Sequence, residues 1–324
     1  MRQSLVQTPF YRQILPWVFI AAFFAIAPVV VFLTAGYRFN EKKGLVEHTS
    51  TAIIDSTPSG ATITIDGQST PFKTPKTFQN ILPGMHRFRV EKVGYFPYEK
   101  SIEANPERAI FLNAIRLWPN RPPIFLSNTT SSQANDITTT KLPDTRFPEY
   151  RIQSSTTTKN LSVLVTQDRV IALPSGTWEI VDRRNGHVIL RSGTDWLSVD
   201  PAIDSPTIIT ATGETIAWLK KNGTDLALLK YRGEAWEWDV IHPPILLERQ
   251  SEPLIGLTWD QHGDDIFLAT KTHVISLNLD DRDGYLKTTI ADFDEIWSID
   301  ADVNAITVMA KHGNQTGQWK LELN

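Results

Sequence analysis

The sequence predicts a mainly β protein held by one N-terminal transmembrane helix, with a small β-sandwich and then a β-propeller-like domain. Three observations carry this reading. One uncharged apolar stretch lies near the N-terminus, a period-two apolar alternation begins at Thr51, and tryptophans recur at a blade-like interval in the C-terminal half.

The apolar stretch runs from Ile14 to Gly36. At a helical rise of about 1.5 Å per residue it reaches roughly 35 Å, enough to cross a hydrocarbon core of about 30 Å with some tilt. Trp17 and Tyr37 stand near its ends, Arg2 and Arg12 precede it, and Arg38, Lys42 and Lys43 follow, so flanking charge leaves the orientation open. Ala25-Ile26-Ala27 resembles a signal-cleavage triplet. Pro28 follows it directly and the apolar run continues to Gly36, which reads as an uncleaved anchor. Pro16 fits the first helical turn, whereas Pro28 is expected to kink the span. The expected order is a cytoplasmic tail (1–13), a transmembrane helix (14–37) and a juxtamembrane segment (38–49).

Composition narrows the function classes. Net charge is −4, from 32 basic and 36 acidic residues, and no basic patch of the kind that neutralises phosphates occurs, so nucleic acid is not an expected partner. There is no cysteine, which excludes disulfides, thiolate metal sites, a lipidated cysteine and a cysteine nucleophile.

From Thr51 the apolar period becomes two, as in Ala61-Thr62-Ile63-Thr64-Ile65 and Arg87-Phe88-Arg89-Val90, the pattern of half-buried antiparallel strands. Pro58-Ser59-Gly60, Asp66-Gly67, Pro83-Gly84 and Gly94 separate the strands with turn residues. Asp66-Gly67 after an alternating strand is a hairpin signal. The run Pro58-Ser59-Gly60-Ala61, Ile63, Ile65-Asp66-Gly67, Thr74-Pro75, Leu82-Pro83-Gly84, His86 and Val93-Gly94-Tyr95 resembles the PEGA domain, with Ser59 in place of the signature Glu. The resemblance covers residues 50–117. It implies a small β-sandwich used as a module in bacterial and archaeal surface or membrane-anchored proteins, and no catalysis. Tyr95, Phe96 and Tyr98 are expected to cover the small core, and His86 to be a satisfied histidine rather than a ligand.

Residues 118–158 change character: Pro119, Pro122 and Pro123 precede Ser127-Asn128-Thr129-Thr130-Ser131-Ser132 and Thr138-Thr139-Thr140, which reads as a polar linker. Asn128, Asn160, Asn222 and Asn314 stand in Asn-x-Ser/Thr sequons, a pattern that chance also produces.

Residues 159–324 carry short strands broken by polar turns. Trp178, Trp218, Trp259 and Trp297 recur there at intervals of 40, 41 and 38, and Trp196 with Trp236 or Trp238 repeats the spacing once. That interval is one four-stranded blade, with a large aromatic filling the wedge between neighbours. Leu257-Thr258-Trp259-Asp260 resembles the blade entry of WD-repeat-like propellers. An irregular sandwich with evenly spaced aromatics is the alternative. At about 40 residues per blade the segment holds about four blades, and ring closure would need Phe147 to Gln153 or another chain.

No nucleophile elbow, phosphate loop, His-Glu-x-x-His or dinucleotide motif occurs, so no enzyme is expected. Asp264-Asp265 and Asp292, Asp294, Glu295 are the paired carboxylates a glycosidase would need, though turns attract aspartate for backbone reasons. Asp280-Asp281-Arg282-Asp283-Gly284 fails as an EF-hand, because Leu279 and Ile290 fall where carboxylates are required. No catalytic residue, cofactor or metal is expected. Trp236 and Trp238, at i and i+2 on one strand face, are the candidate ligand-binding pair, either stacking on sugar or lying in the core between blades. The expected role is a non-catalytic binding or scaffolding protein of the cell envelope, single-pass in the cell membrane with its bulk extracytoplasmic. Its expected ligand is surface polysaccharide or a partner protein; a sensor, an assembly factor or a glycan hydrolase are the alternatives.

Overall fold

In the computed structural model the described residues are 10–40, 44–128, 147, 149–155, 161–203, 206–261, 263–279 and 285–323. The chain divides into two units, Met1–Leu117 and Trp118–Asn324.

The first unit opens with a helix, Phe10–Thr34, whose assignment is unbroken through Pro16 and Pro28. Gly36 stops it at φ +85°, a left-handed conformation that glycine adopts without strain. Nη1 of Arg38 then donates to the Leu33 carbonyl at 2.9 Å, placing a cation on the negative end of the helix. The juxtamembrane segment pairs with itself as Tyr37–Asn40 against Leu45–His48.

The sandwich follows in two sheets. One has the order Lys76–Ile81, Ser50–Thr57, Ala109–Arg116, the last two being parallel; the other has Gln68–Lys73, Thr62–Ile65, Gly84–Glu91, Tyr98–Ala104, all antiparallel. Alternation buries Ala52, Ile54, Ile63, Phe88, Val90, Ile102, Ile110 and Leu112. Thr74 explains two of the sequence landmarks at once. Its hydroxyl accepts the Ala61 N–H at 3.0 Å and meets the Ser56 hydroxyl at 2.7 Å, while its backbone exchanges hydrogen bonds with Gly60 and Ala61. The Pro-Ser-Gly-Ala bend is therefore tied to the Thr-Pro bend, and Ser59 itself stays exposed. Asp66 (φ 51°) and Gly67 (φ 79°) form the expected hairpin turn.

The second unit is propeller-like, and its described residues form five sheets in chain order. The first is Arg151–Ser155, Leu161–Val165, Val170–Leu173. The second is Glu179–Arg184, His187–Ser192, Asp195–Val199, Ile209–Thr212; the third is Thr215–Lys221, Thr224–Tyr231, Glu234–Trp238, Ile245–Arg249. The fourth is Gly256–Trp259, Asp265–Ala269, His273–Asn278, Leu286–Asp292. The fifth is Glu295–Asp302, Ala305–His312, Gln315–Glu322, and its outer strand is Ile124–Ser127, which pairs antiparallel with Gln315–Glu322. Neighbouring sheets share apolar clusters. Leu164, Ile171, Val188 and Leu190 join the first to the second, Ile189, Trp196, Leu229 and Trp238 the second to the third, and Leu228, Leu247, Ile266 and Leu268 the third to the fourth.

The tryptophan intervals have a direct structural meaning. Trp178 immediately precedes the first strand of the second sheet, and Trp218, Trp259 and Trp297 lie in the first strands of the third, fourth and fifth. Nε1 of Trp259 donates to the Ala217 carbonyl at 3.1 Å, so the ring bridges two adjacent sheets. Trp196 and Trp238 occupy third strands and face the same inter-sheet core.

Two expectations need correction. The described residues form five sheets rather than about four, and residues 118–158 are not wholly a linker, because Ile124–Ser127 and Arg151–Ser155 lie within them as strands. The reason is packing over long sequence separation: Phe125 meets Trp319 edge-on at 4.9 Å, and Tyr150 and Ile152 join the first inter-sheet cluster. Phe147, Tyr150 and Ile152 thus enter the propeller-like unit. Thr138–Thr140 and the candidate calcium loop Asp280–Gly284 lie outside the described residues.

Candidate functional site

The tryptophan pair sits on Glu234–Trp238. Trp236 opposes Leu229 and Trp238 opposes Ala227 across the ladder, so both rings point to one face, as the spacing requires. That face is dry. Trp238 is 1% exposed, and Trp236 is half-buried against the same cluster, with Nε1 donating to Oε2 of Glu234 at 3.1 Å. Of the two readings of the pair, Trp238 takes the core one, its large apolar area being used to join two sheets. Among the described residues its Nε1 finds no acceptor.

Titratable groups around this strand have contrasting environments. Burial pushes the Glu237 carboxyl up, with Lys221 opposing and Asp239 adding to the rise. Asp239 is also penalised by burial, but hydrogen bonds from the His242 side chain (2.7 Å) and from the His242 and Ile241 N–H groups outweigh it and hold the group below the carboxylate range. Glu214 is lowered first by its hydrogen bond from Lys230 at 2.7 Å, against a smaller effect of burial. The Lys230 ammonium also donates to the Leu254 carbonyl at 3.1 Å, so the pair ties strand to connector.

The carboxylates considered for glycosidase chemistry are placed apart in role. Asp264 is exposed and pairs with Lys221 at 2.9 Å, whereas Asp265 is 2% exposed and accepts from Asn278 at 3.0 Å. Asp292 pairs with His273 at 2.6 Å, Asp294 accepts the Gly313 N–H at 2.7 Å, and Glu295 stands 4.0 Å from Lys271. No group of three or more His, Cys, Asp or Glu able to hold a metal occurs among the described residues.

His86 is a satisfied residue, Nδ1 meeting Asp66 at 2.6 Å and Nε2 the Leu82 carbonyl at 2.7 Å. Of the three aromatics expected in the sandwich core, Tyr98 is buried, while Tyr95 and Phe96 are half-buried. Tyr95 instead lines an open groove of about 620 Å³ on the outer face of the four-stranded sheet. The groove was missed in the sequence because its residues come from three strands and a loop. The available signal was the exposed parity of Thr62, Arg89 and Glu91 on alternating strands.

With this geometry in place, comparison with known proteins gives one match by sequence. The PEGA domain profile matches residues 49–115. The PEGA-like module so defined occupies about a fifth of the chain, and no curated protein matches it. By structure, Hsv2 of Kluyveromyces lactis is similar at 11% identity and TM-score 0.32, over 81% of this chain and 71% of that one. Hsv2 of Kluyveromyces marxianus is similar at 9% and 0.32, with 69% and 66% covered, so the chain spans just under two thirds of it. The C-terminal WD40 domain of Sif2 gives 10% and 0.35, with 72% and 66% covered. Likenesses of this size carry no argument, and the propeller-like architecture rests on the strand pairing and inter-sheet clusters described above.

Proposed function

We infer that the chain is a single-span membrane protein that displays two non-catalytic β modules outside the cytoplasm, where they bind or scaffold an envelope component. One observation carries the anchoring. Leu15–Thr34, 20 residues of the helix Phe10–Thr34, has mean hydropathy 2.5, and none of it is buried against the rest of the described residues. Trp17, Phe19, Phe23, Phe24 and Phe32 are each more than half exposed. An apolar surface of this extent is favoured where hydrocarbon replaces water, and its length suits a core of about 30 Å, which supports the anchored reading. The PEGA-like module supports an extracytoplasmic position, and the separate structural partners of the acidic groups support a binding role over a catalytic one. Surface polysaccharide or a partner protein is the proposed ligand class.

The test is alkaline extraction of membranes combined with protease shaving of intact cells. The full chain is expected to stay in the membrane pellet, with its C-terminal modules digested from outside. Release by alkali, or protection of those modules until lysis, sinks the proposal.

A further inference from the structure

The groove on the PEGA-like module has a floor and a wall of different chemistry. On the floor, Lys73 and Glu91 flank Thr62 in one cross-strand row, and Arg89 opposes Thr64 in the next. The wall is the loop after Glu91, where Gly94 at φ +83° turns the chain. Val93 at its tip is 99% exposed and so contributes no burial to the fold.

The positive groups are arranged for use. Nζ of Lys92 donates to the Ser59 carbonyl at 2.7 Å and lies 5.9 Å from the Tyr95 ring centroid, which fixes the ammonium beside an aromatic face. Arg89 is oriented by Glu91, to which Nε and Nη2 donate at 3.0 and 2.8 Å, and its Nη1 stands 3.6 Å from Glu99 on an exposed side chain. Among the described residues no side-chain hydrogen bond or ion pair engages the Lys73 ammonium, and the residue is exposed at the end of its strand. Three cations against one carboxylate therefore line an open groove on a protein of net charge −4.

We propose that this groove binds a segment of carboxylate-bearing polysaccharide. Guanidinium and ammonium groups pair with uronate carboxylates, the Thr62 hydroxyl is placed to bond sugar hydroxyls, and Tyr95 with Val93 supplies apolar surface for a ring face. The volume falls within the range of about 300–1,000 Å³ that suits a small ligand, and the open shape lets a polymer continue past both ends. The inference deepens the envelope-binding reading above and rests on it.

The experiment uses the full-length chain in detergent, titrated calorimetrically with alginate oligomers and with dextran oligomers of equal length. Alginate is expected to bind at low salt and weaken as salt rises, and dextran not to bind. Lys73→Glu and Tyr95→Ala are each expected to weaken alginate by about tenfold, while Lys220→Glu, on an exposed propeller position, leaves it unchanged. If Tyr95→Ala fails to fold, Thr62→Trp obstructs the floor from a half-exposed strand position and reads the same loss. Absence of alginate binding by a protein that still fractionates with membrane overturns the groove assignment and leaves the anchored reading standing. Equal weakening by Lys220→Glu or equal affinity for dextran also overturns it.

Discussion

Gly317 lies on Gln315–Glu322 directly beneath the strand that completes the fifth sheet. A Cβ placed there would overlap the Ser127 carbonyl oxygen and press on the Phe125 ring at 3.1 Å. The first obstacle is backbone, so the clash is relieved only if Ile124–Ser127 moves. Gly317→Ala is therefore expected to lift that strand, weakening the three register pairs it makes and the edge-on contact of Phe125 with Trp319 at 4.9 Å. An aromatic contact of this kind contributes about 1 kcal/mol and a net hydrogen bond about 1 kcal/mol, while overpacking by one methyl costs about 1–3 kcal/mol. Ile124 and Leu126 are already about half exposed, so little else is lost, and the expected destabilisation is about 2–3 kcal/mol. For a unit of this size that lowers the melting temperature by roughly 4–12 °C. Circular dichroism melting of the full chain in detergent reads the global effect, and amide hydrogen exchange along residues 124–127 reads the local one. In a Phe125→Ala background the strand is already loosened, so the cost of Gly317→Ala should shrink. An unchanged melting temperature with retained protection, or strictly additive costs, would refute the clasp.

Three other outcomes are expected. Trp238→Ala should destabilise the protein by about 3–5 kcal/mol in a denaturant titration, as for a large core aromatic, whereas a surface ligand residue would cost under about 0.5 kcal/mol. Glu214 and Glu237 should give opposite pH signatures. Glu214 is lowered in the fold, so its contribution is present above the unfolded carboxylate range and lost as pH falls through the folded value: Glu214→Gln should cost about 1 kcal/mol near neutrality, after allowance for its partial exposure, and almost nothing in acid. Glu237 is raised, so the fold is penalised as pH rises through the range between unfolded and folded values, and Glu237→Gln should stabilise at neutral pH but not in acid; matching pH profiles for the two variants would contradict this. Finally, Phe24→Arg, near the middle of Leu15–Thr34, adds about 2.5–3.5 kcal/mol to insertion and should raise the alkali-extractable fraction.

Much of the architecture was legible because its signals are local. Ile14 to Gly36 needs only its own composition to be an apolar helix, Asp66-Gly67 needs only its backbone preference to be a hairpin turn, and the alternation at Ala61 to Ile65 needs only a one-sided core. Other strands lack such local signals. Asp195–Val199 is buried on both faces from Trp196 to Val199, which erases the alternation, and Ile245–Arg249 exposes Ile245 and Leu246 at the outer edge of its sheet.

By itself the sequence determined the apolar N-terminal helix, the β class, the PEGA-like landmarks and the repeat that places one tryptophan at the first strand of successive sheets. Only the tertiary structure decided that Ile124–Ser127 belongs to a sheet built from residues near the far end of the chain, that Trp238 is core rather than surface, and that Lys73, Arg89 and Lys92 line one groove. The physical reason is common to all three. Burial and charge clustering arise from contacts between segments far apart in sequence, and each segment taken alone is compatible with more than one set of neighbours.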